Sequence, residues 1–248
     1  AMVHNETSVG IVNPAKEVGK LARKYDAIFI VDGISSVGGN EFFTDEWGID
    51  IAITGSQKCL AVPPGLAMVT VSKKAEELLE DGKGGYYTDL KAHLDKAKKN
   101  QTPYTPAVSL FYALQEALSI AAEEGFSERR ARMARLAKGV REAALALDIE
   151  LFPQVNEHST YSNTVTAMKM PNGITDGQLR GGMRKRGVVV SGGQSGLKGK
   201  IFRIGTMGAC TEADVLRTIQ TLELVLEKEG LITSLGAGLE AASKAIDA

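Results

Sequence analysis

Two short apolar runs do most to limit what this chain can become: AIFIV, from Ala27 to Val31, and IAIT, from Ile51 to Thr54. Each is too short for a stable helix and rich in β-branched residues, so each reads as a buried strand. Each also ends on a polar turn. Asp32-Gly33-Ile34-Ser35-Ser36-Val37-Gly38-Gly39 follows the first, and Gly55-Ser56-Gln57-Lys58 follows the second. Upstream, Ala1 to His4 reads as a further strand. Asn13-Pro14 then opens a helix that ends near Tyr25, with Pro14 at its first position and Val18, Leu21 and Ala22 on one face. Strand, helix and strand in that order make a βαβ unit, and the expected class is α/β. Open α/β sheets bind ligands in the crevice outside the carboxyl ends of their strands. Asp32 and Lys58 both fall there.

After Lys58 comes an apolar run closed by Pro63-Pro64-Gly65, then a strand from Leu66 to Val71. A lysine in a turn between two buried strands is expected to be poorly solvated, which lowers the pKa of its amine and suits it to condense with a carbonyl. The plainer alternative is a surface lysine at a strand end. A carboxylate on the neighbouring strand end suggests more than that. In one known pairing, the lysine carries an aldehyde cofactor and the aspartate keeps a pyridine nitrogen protonated, so that the ring can draw electrons. VDGISSVGG followed by GIDIAITGSQKCLAVPPGLA resembles the fold-type I, class V pyridoxal-phosphate aminotransferases, closest to the alanine–glyoxylate and serine–pyruvate branch. The pattern is long and ordered, and far more specific than a lone glycine-rich loop.

The resemblance implies an α/β fold with part of the large-domain mixed sheet in residues 1–125 and a small C-terminal α+β domain in 126–248, with the border near Gly125. It implies pyridoxal 5′-phosphate carried by Lys58, with Asp32 on the ring nitrogen, Ile34 against a ring face and Gln57 on the phosphate. HNETS, from His4 to Ser8, is similar to a family motif whose hydroxyls lie near the cofactor, which makes Thr7 and Ser8 candidates. The alternative for both is a hydroxyl-rich turn that caps local backbone. In the family, the segment matching Gln101 to Val108 crosses a dimer interface to the partner's cofactor phosphate. Thr105 matches best, and Thr102 is the second choice. Capping of the helix that starts near Val108 is compatible with that role. The expected partners are a second copy of the chain, a small amino acid (alanine, serine or aspartate) and a 2-oxo acid (glyoxylate or pyruvate). The family also has an earlier segment, bearing a glycine-rich phosphate loop and an aromatic that stacks on the cofactor, and neither is found here.

The strand Ile201-Phe202-Arg203-Ile204-Gly205 puts one arginine in an apolar run, and such an arginine needs an anionic partner. Either an internal salt bridge satisfies it or, as the resemblance implies, it holds the substrate carboxylate. SGGQSGLKGK just before it, Ser191 to Lys200, lacks P-loop spacing. Trp47, the only tryptophan, reads as packing over a polar loop from Phe42 to Gly48. Strands are also expected at 150–152, 164–168 and 188–190, and helices at 108–124, 127–147, 175–186 and 211–229, with one more in the tail from Leu231.

A net charge of −1 with no basic face argues against nucleic acid or an anionic membrane. Two cysteines, Cys59 and Cys210, imply no disulfide framework; with no leader-like opening and no bilayer-length apolar run, the cytoplasm is expected. No metal site is expected. Two alternatives remain for function. A cysteine desulfurase or related lyase needs a mobile nucleophilic cysteine ahead of the substrate arginine. A truncated, non-catalytic dimerising fragment would have lost cofactor binding.

Overall fold

A computed structural model of the chain describes residues 1–80 and 82–248. The first elements are β1 (Met2–Val3), β2 (Asn5–Glu6), β3 (Ile11–Val12), α1 (Ala15–Lys24), β4 (Ile30–Asp32), α2 (Thr44–Trp47), β5 (Ile51–Gly55) and β6 (Ala67–Val71). There follow α3 (Lys73–Glu76), α4 (Leu90–Ala97), α5 (Val108–Glu124), α6 (Phe126–Ala146), β7 (Thr160–Tyr161) and β8 (Val165–Lys169). The last are α7 (Asp176–Lys185), β9 (Ser191–Gly192), β10 (Ile201–Gly205), α8 (Glu212–Lys228) and α9 (Ala237–Asp247).

β1, β4, β5 and β6 form a four-stranded sheet in that order. β1 and β5 both run parallel to β4, so the three strands deliver their carboxyl ends to one edge. β6 returns antiparallel to β5, which makes the sheet mixed. Ala15, Phe29, Val31, Trp47, Ile49 and Ala52 form the core under this sheet. A second core gathers α6, α7, α8 and α9 around β8 and β10, with Leu136, Met168, Leu179, Phe202, Ile219 and Leu222 nearly sealed from solvent. β10 lies between β8 and β9, antiparallel to both. A small third sheet joins β2, β3 and β7, pairing Ile11 with Tyr161 and so tying the start of the chain to its far half.

Local signals placed the helix starts well. Ser72 Oγ accepts from Ala75 N, and Thr211 forms a capping box with Asp214. Tertiary packing moved other features. Leu21 is 56% exposed, and Gly19 takes its place on the buried face of α1 because the Trp47 carbonyl packs too close for a side chain. The expected loop from Phe42 to Gly48 contains one helical turn, while Trp47 is buried against His4, Phe42 and Phe43 as a packing residue. β6 is mostly exposed rather than buried, so one neighbour of the Lys58 turn is an edge strand. Leu151 makes only an isolated bridge to Met168, sheet pairing starts at Ser191 rather than Val188, and the last helix begins at Ala237. In α5 only Ala121 is buried; Val108, Phe111, Tyr112, Leu118 and Ile120 are exposed.

Candidate active site

The parallel edge of the four-stranded sheet assembles the first half of the site. Asp32 sits in register with Val3 on one side and Ile53 on the other. The backbone continues the ladder past the strand ends, with His4 N donating to Asp32 O (3.0 Å) and Gly33 N to Ile53 O (2.8 Å). Asp32 turns its carboxylate back on its own loop, where Oδ1 accepts from Ile34 N at 2.9 Å. That bond fixes the half-buried carboxylate at the strand mouth and places Ile34 beside it. Lys58 follows β5 by a short turn that closes as Val62 N donates to Ser56 O and Ala61 N to Lys58 O, both 3.0 Å. The lysine is half-buried rather than sealed.

The second half arrives from the other sheet. Along β10, Phe202 and Ile204 point into the C-terminal core, and alternation turns Arg203 to the opposite face. There Arg203 is 7% exposed, and Nε donates to Gly192 O (3.0 Å) while Nη1 donates to Thr7 O (2.7 Å). Arg129, Arg132 and Arg180 each pair with a carboxylate. Arg203 has no carboxylate within salt-bridge distance among the described residues, which disposes of the internal salt bridge as its explanation. Burial first, then the charge of Arg180, pulls its guanidinium below the ordinary value, and Glu6 opposes them.

Lys58 from the first half and Arg203 from the second line one cleft of about 450 Å³ with Glu6, Thr7, Ser8 and Gln194, while Asp32 and Ile34 lie at the adjoining strand end and do not line it. Two cations face one carboxylate there, so the cleft favours an anion. Glu6 is already engaged: Oε1 accepts from Ser8 N (2.9 Å) and Ser8 Oγ (2.6 Å). Thr7 is also held inward, its Oγ1 2.5 Å from Ser35 Oγ. Behind it, Asn5 Nδ2 donates to Ser35 Oγ (2.8 Å) and Thr164 Oγ1 (3.0 Å), and Thr164 Oγ1 donates to Ser35 O (3.0 Å). Gly39 closes the packing of this network, since a β-carbon there would fall 2.4 Å from Thr164 Cγ2 and 2.8 Å from Cys59 Sγ.

The family model for class-V aminotransferases matches residues 1–217. The chain belongs to that family. The chain is 50% identical over 92% of its length to an uncharacterised aminotransferase of Methanocaldococcus jannaschii, covering 60% of that protein. It is 37% identical over 98% of its length to the serine–glyoxylate aminotransferase of Arabidopsis thaliana, covering 61% of it. Its fold superposes on the crystal structure of ureidoglycine–glyoxylate aminotransferase from Bacillus subtilis with a TM-score of 0.91 and 32% identity, over all of this chain and 65% of that one. The chain thus spans about three-fifths of the length of the curated relatives it matches. The fold is that of the fold-type I aminotransferases, and the cofactor of the family is pyridoxal 5′-phosphate. The donor set fits such a group: a primary amine and an arginine with no ion-paired carboxylate among the described residues share one cleft, with a tethered carboxylate at the adjoining strand end.

Other candidates lie apart from the cleft. Gln57 is exposed, its side-chain amide close to Gly55, and does not line it. Thr102 and Thr105 are exposed on the segment before α5; Thr102 Oγ1 donates to Tyr104 O (2.7 Å), and neither threonine caps that helix, whose N-cap is Ala107. Sequence reasoning missed Glu6 and Gln194 as wall residues, although both lie inside motifs already singled out, HNETS and SGGQSG. Cys59 is fully buried beside Lys58, and burial pushes its thiol up to about 12, although Arg129 and Lys58 pull the other way. Among the described residues no helix is long and apolar enough to cross a membrane.

Proposed function

We propose that the protein containing this chain is a pyridoxal-phosphate aminotransferase that moves an amino group from a small amino acid to a 2-oxo acid such as glyoxylate or pyruvate. The observation that carries the reading is the meeting of Lys58 and Arg203 in one cleft, next to the strand end that holds Asp32. In this reading Lys58 holds the cofactor through its amine and, once released, shuttles a proton at the substrate α-carbon. Asp32, oriented by Ile34 N, keeps the ring nitrogen protonated, and Ile34 packs on a ring face. When bound, the cofactor supplies an electron sink for the pair left by the broken Cα–H bond. Arg203, with its Nε and Nη1 fixed on backbone carbonyls, presents the rest of its fork to the substrate carboxylate. Thr7 and Ser8 shape the ring edge, although their hydroxyls already have protein partners.

Gln57 and Thr105, with Thr102 as second choice, are assigned to phosphate contacts, the threonines acting on a partner subunit's site. Their exposure in this chain agrees with such roles, and the exposed apolar residues of α5 suit a homodimer. We assign residues 1–125 to the large domain and 126–248 to the small one. The two free cysteines suit a reducing compartment, and we infer the cytoplasm. The serine–glyoxylate and aspartate–glyoxylate activities named for relatives support glyoxylate as acceptor. A desulfurase is disfavoured, because Cys59 is buried and its thiol stays protonated, and Cys210 follows Arg203 in the chain.

The test is Lys58→Ala in the full-length protein. Visible absorbance on adding pyridoxal phosphate should be lost together with transamination, while the circular-dichroism melt stays close to wild type. Multiple turnovers in that variant would sink the assignment. If the wild-type chain itself gains no such band, the dimerising-fragment alternative holds.

A further inference from the structure

An ionic cluster at the corner between α5 and α6 has no part in the cleft, yet its arms end on the two loops that build it. Glu124 closes α5, Gly125 turns the chain with φ 85°, and Arg129 and Arg132 lie in the first turns of α6. Glu124 Oε2 accepts from Arg129 Nη1 (2.7 Å) and Arg132 Nη2 (3.2 Å), and Oε1 accepts from Arg132 Nε (2.6 Å). Each arginine has donors left over. Arg129 Nη2 reaches Cys59 O (3.1 Å), next to Lys58. Arg132 reaches Cys210 O (2.6 Å) through Nη1 and Gly208 O (3.1 Å) through Nη2, beyond the cleft residue Met207. The two loops touch under the cluster. Gly208 has φ +72°, and a β-carbon there would lie 3.2 Å from Ala61 Cβ and 3.3 Å from Lys58 O. The arginines hold the Glu124 carboxyl below its usual range, Arg132 most strongly, so the cluster is ionised wherever an aminotransferase works.

We propose that Glu124, Arg129 and Arg132 are positioning residues: a clamp that fixes the Lys58 loop against the loop after Arg203 and so sets the spacing between amine and carboxylate anchor. The proposal rests on the reading that Lys58 and Arg203 serve one reaction. Small displacements of reacting groups cost rate more than binding, so loosening the clamp lowers kcat about ten- to hundredfold and leaves KM for the amino donor within about threefold.

Two variants of the full-length protein test it. Arg132→Met removes one arm, and Glu124→Gln keeps the shape of the hub without its charge. Hydrogen exchange, followed by mass spectrometry without added cofactor, reads the clamp directly. Amides in residues 57–62 and 207–211 should exchange about tenfold faster in both variants, with the C-terminal core unchanged. Arg132→Lys restores a cation opposite Glu124 but cannot span both carbonyls, and it should bring the melting temperature to the wild-type value without restoring kcat. Unchanged exchange in the two loops, or faster exchange with wild-type kcat, overturns the proposal. The exchange result is independent of chemistry. If Lys58→Ala still turns over, the functional reading falls, while the loop mobility is judged on its own measurement.

Discussion

Replacing Arg203 by lysine tests the carboxylate anchor with numbers that the structure supplies. Arg203 is 7% exposed and its guanidinium already spends Nε on Gly192 O and Nη1 on Thr7 O. A lysine ammonium cannot serve both carbonyls and also present a planar fork. Leaving one part-buried carbonyl without its donor costs about 1 kcal/mol of stability, visible as a lower melting temperature. Losing a desolvated charge-assisted pair to the substrate costs about 2–5 kcal/mol, some tens-fold to thousands-fold in kcat/KM. The assay is steady-state transamination by the full-length enzyme, with amino acid, oxo acid and a carboxylate-free amine compared on one preparation. KM should rise for both acids, and the amine should be affected far less. A lower melting temperature is expected under any role, so it decides nothing alone. Unaltered KM for both acids would refute the reasoning and leave Arg203 as a tie between β9, β10 and the HNETS turn.

Asp32→Asn retains an oxygen for Ile34 N but loses the negative charge; kcat should fall about hundredfold or more while cofactor affinity stays within about tenfold, and wild-type kcat would make Asp32 structural. His4 is buried between Phe42 and Trp47, its Nδ1 has no partner among the described residues, and burial lowers its pKa from 6.5 to about 4. The fold therefore holds it neutral, so its contribution is complete above about pH 6.5 and is lost as the unfolded state takes up a proton between pH 6.5 and 4, by up to about 3 kcal/mol. Chemical melts of wild type and His4→Phe across that range should diverge, and parallel curves would remove His4 from the acid sensitivity. Alkylation of native protein near pH 8 should label Cys210 and spare Cys59 until unfolding, and a second label on the folded chain would reopen the desulfurase alternative.

Why the strand-end positions of Asp32 and Lys58 could be read from the chain, and the surroundings of the candidate site less well, follows from contact range. Parallel strands with polar turns at their carboxyl ends are local patterns, and the sheet edge that joins Asp32 to the Lys58 turn is the direct consequence. The Arg203 strand was also legible, as one charge in an apolar run, but not its partners: Thr7 lies at the opposite end of the chain and is brought in by tertiary packing. Burial went wrong where a long-range neighbour decided it. Gly19 displaced Leu21 because the Trp47 carbonyl sits against α1, and β6 lies at an edge that no local pattern marks.

The same division explains how the site is held. Its two halves belong to separate sheets, and no strand pairing runs from β4 or β5 to β10. Alignment to a fraction of an ångström must come from side chains that cross between them. The hydroxyl network of Asn5, Ser35 and Thr164 does this from behind Thr7, and the Glu124 cluster does it from beneath Lys58. The two differ in kind. The hydroxyl network is short-armed and buried, and the removal of one member leaves desolvated oxygens, so its loss should register first in stability. Arg132 ends on part-buried backbone carbonyls of the loop after Arg203, where water can replace a lost bond and the loop stays attached through the chain. Damage at Arg132 should register in rate before stability, which makes the corner between α5 and α6 the better place to separate the architecture of this site from its chemistry.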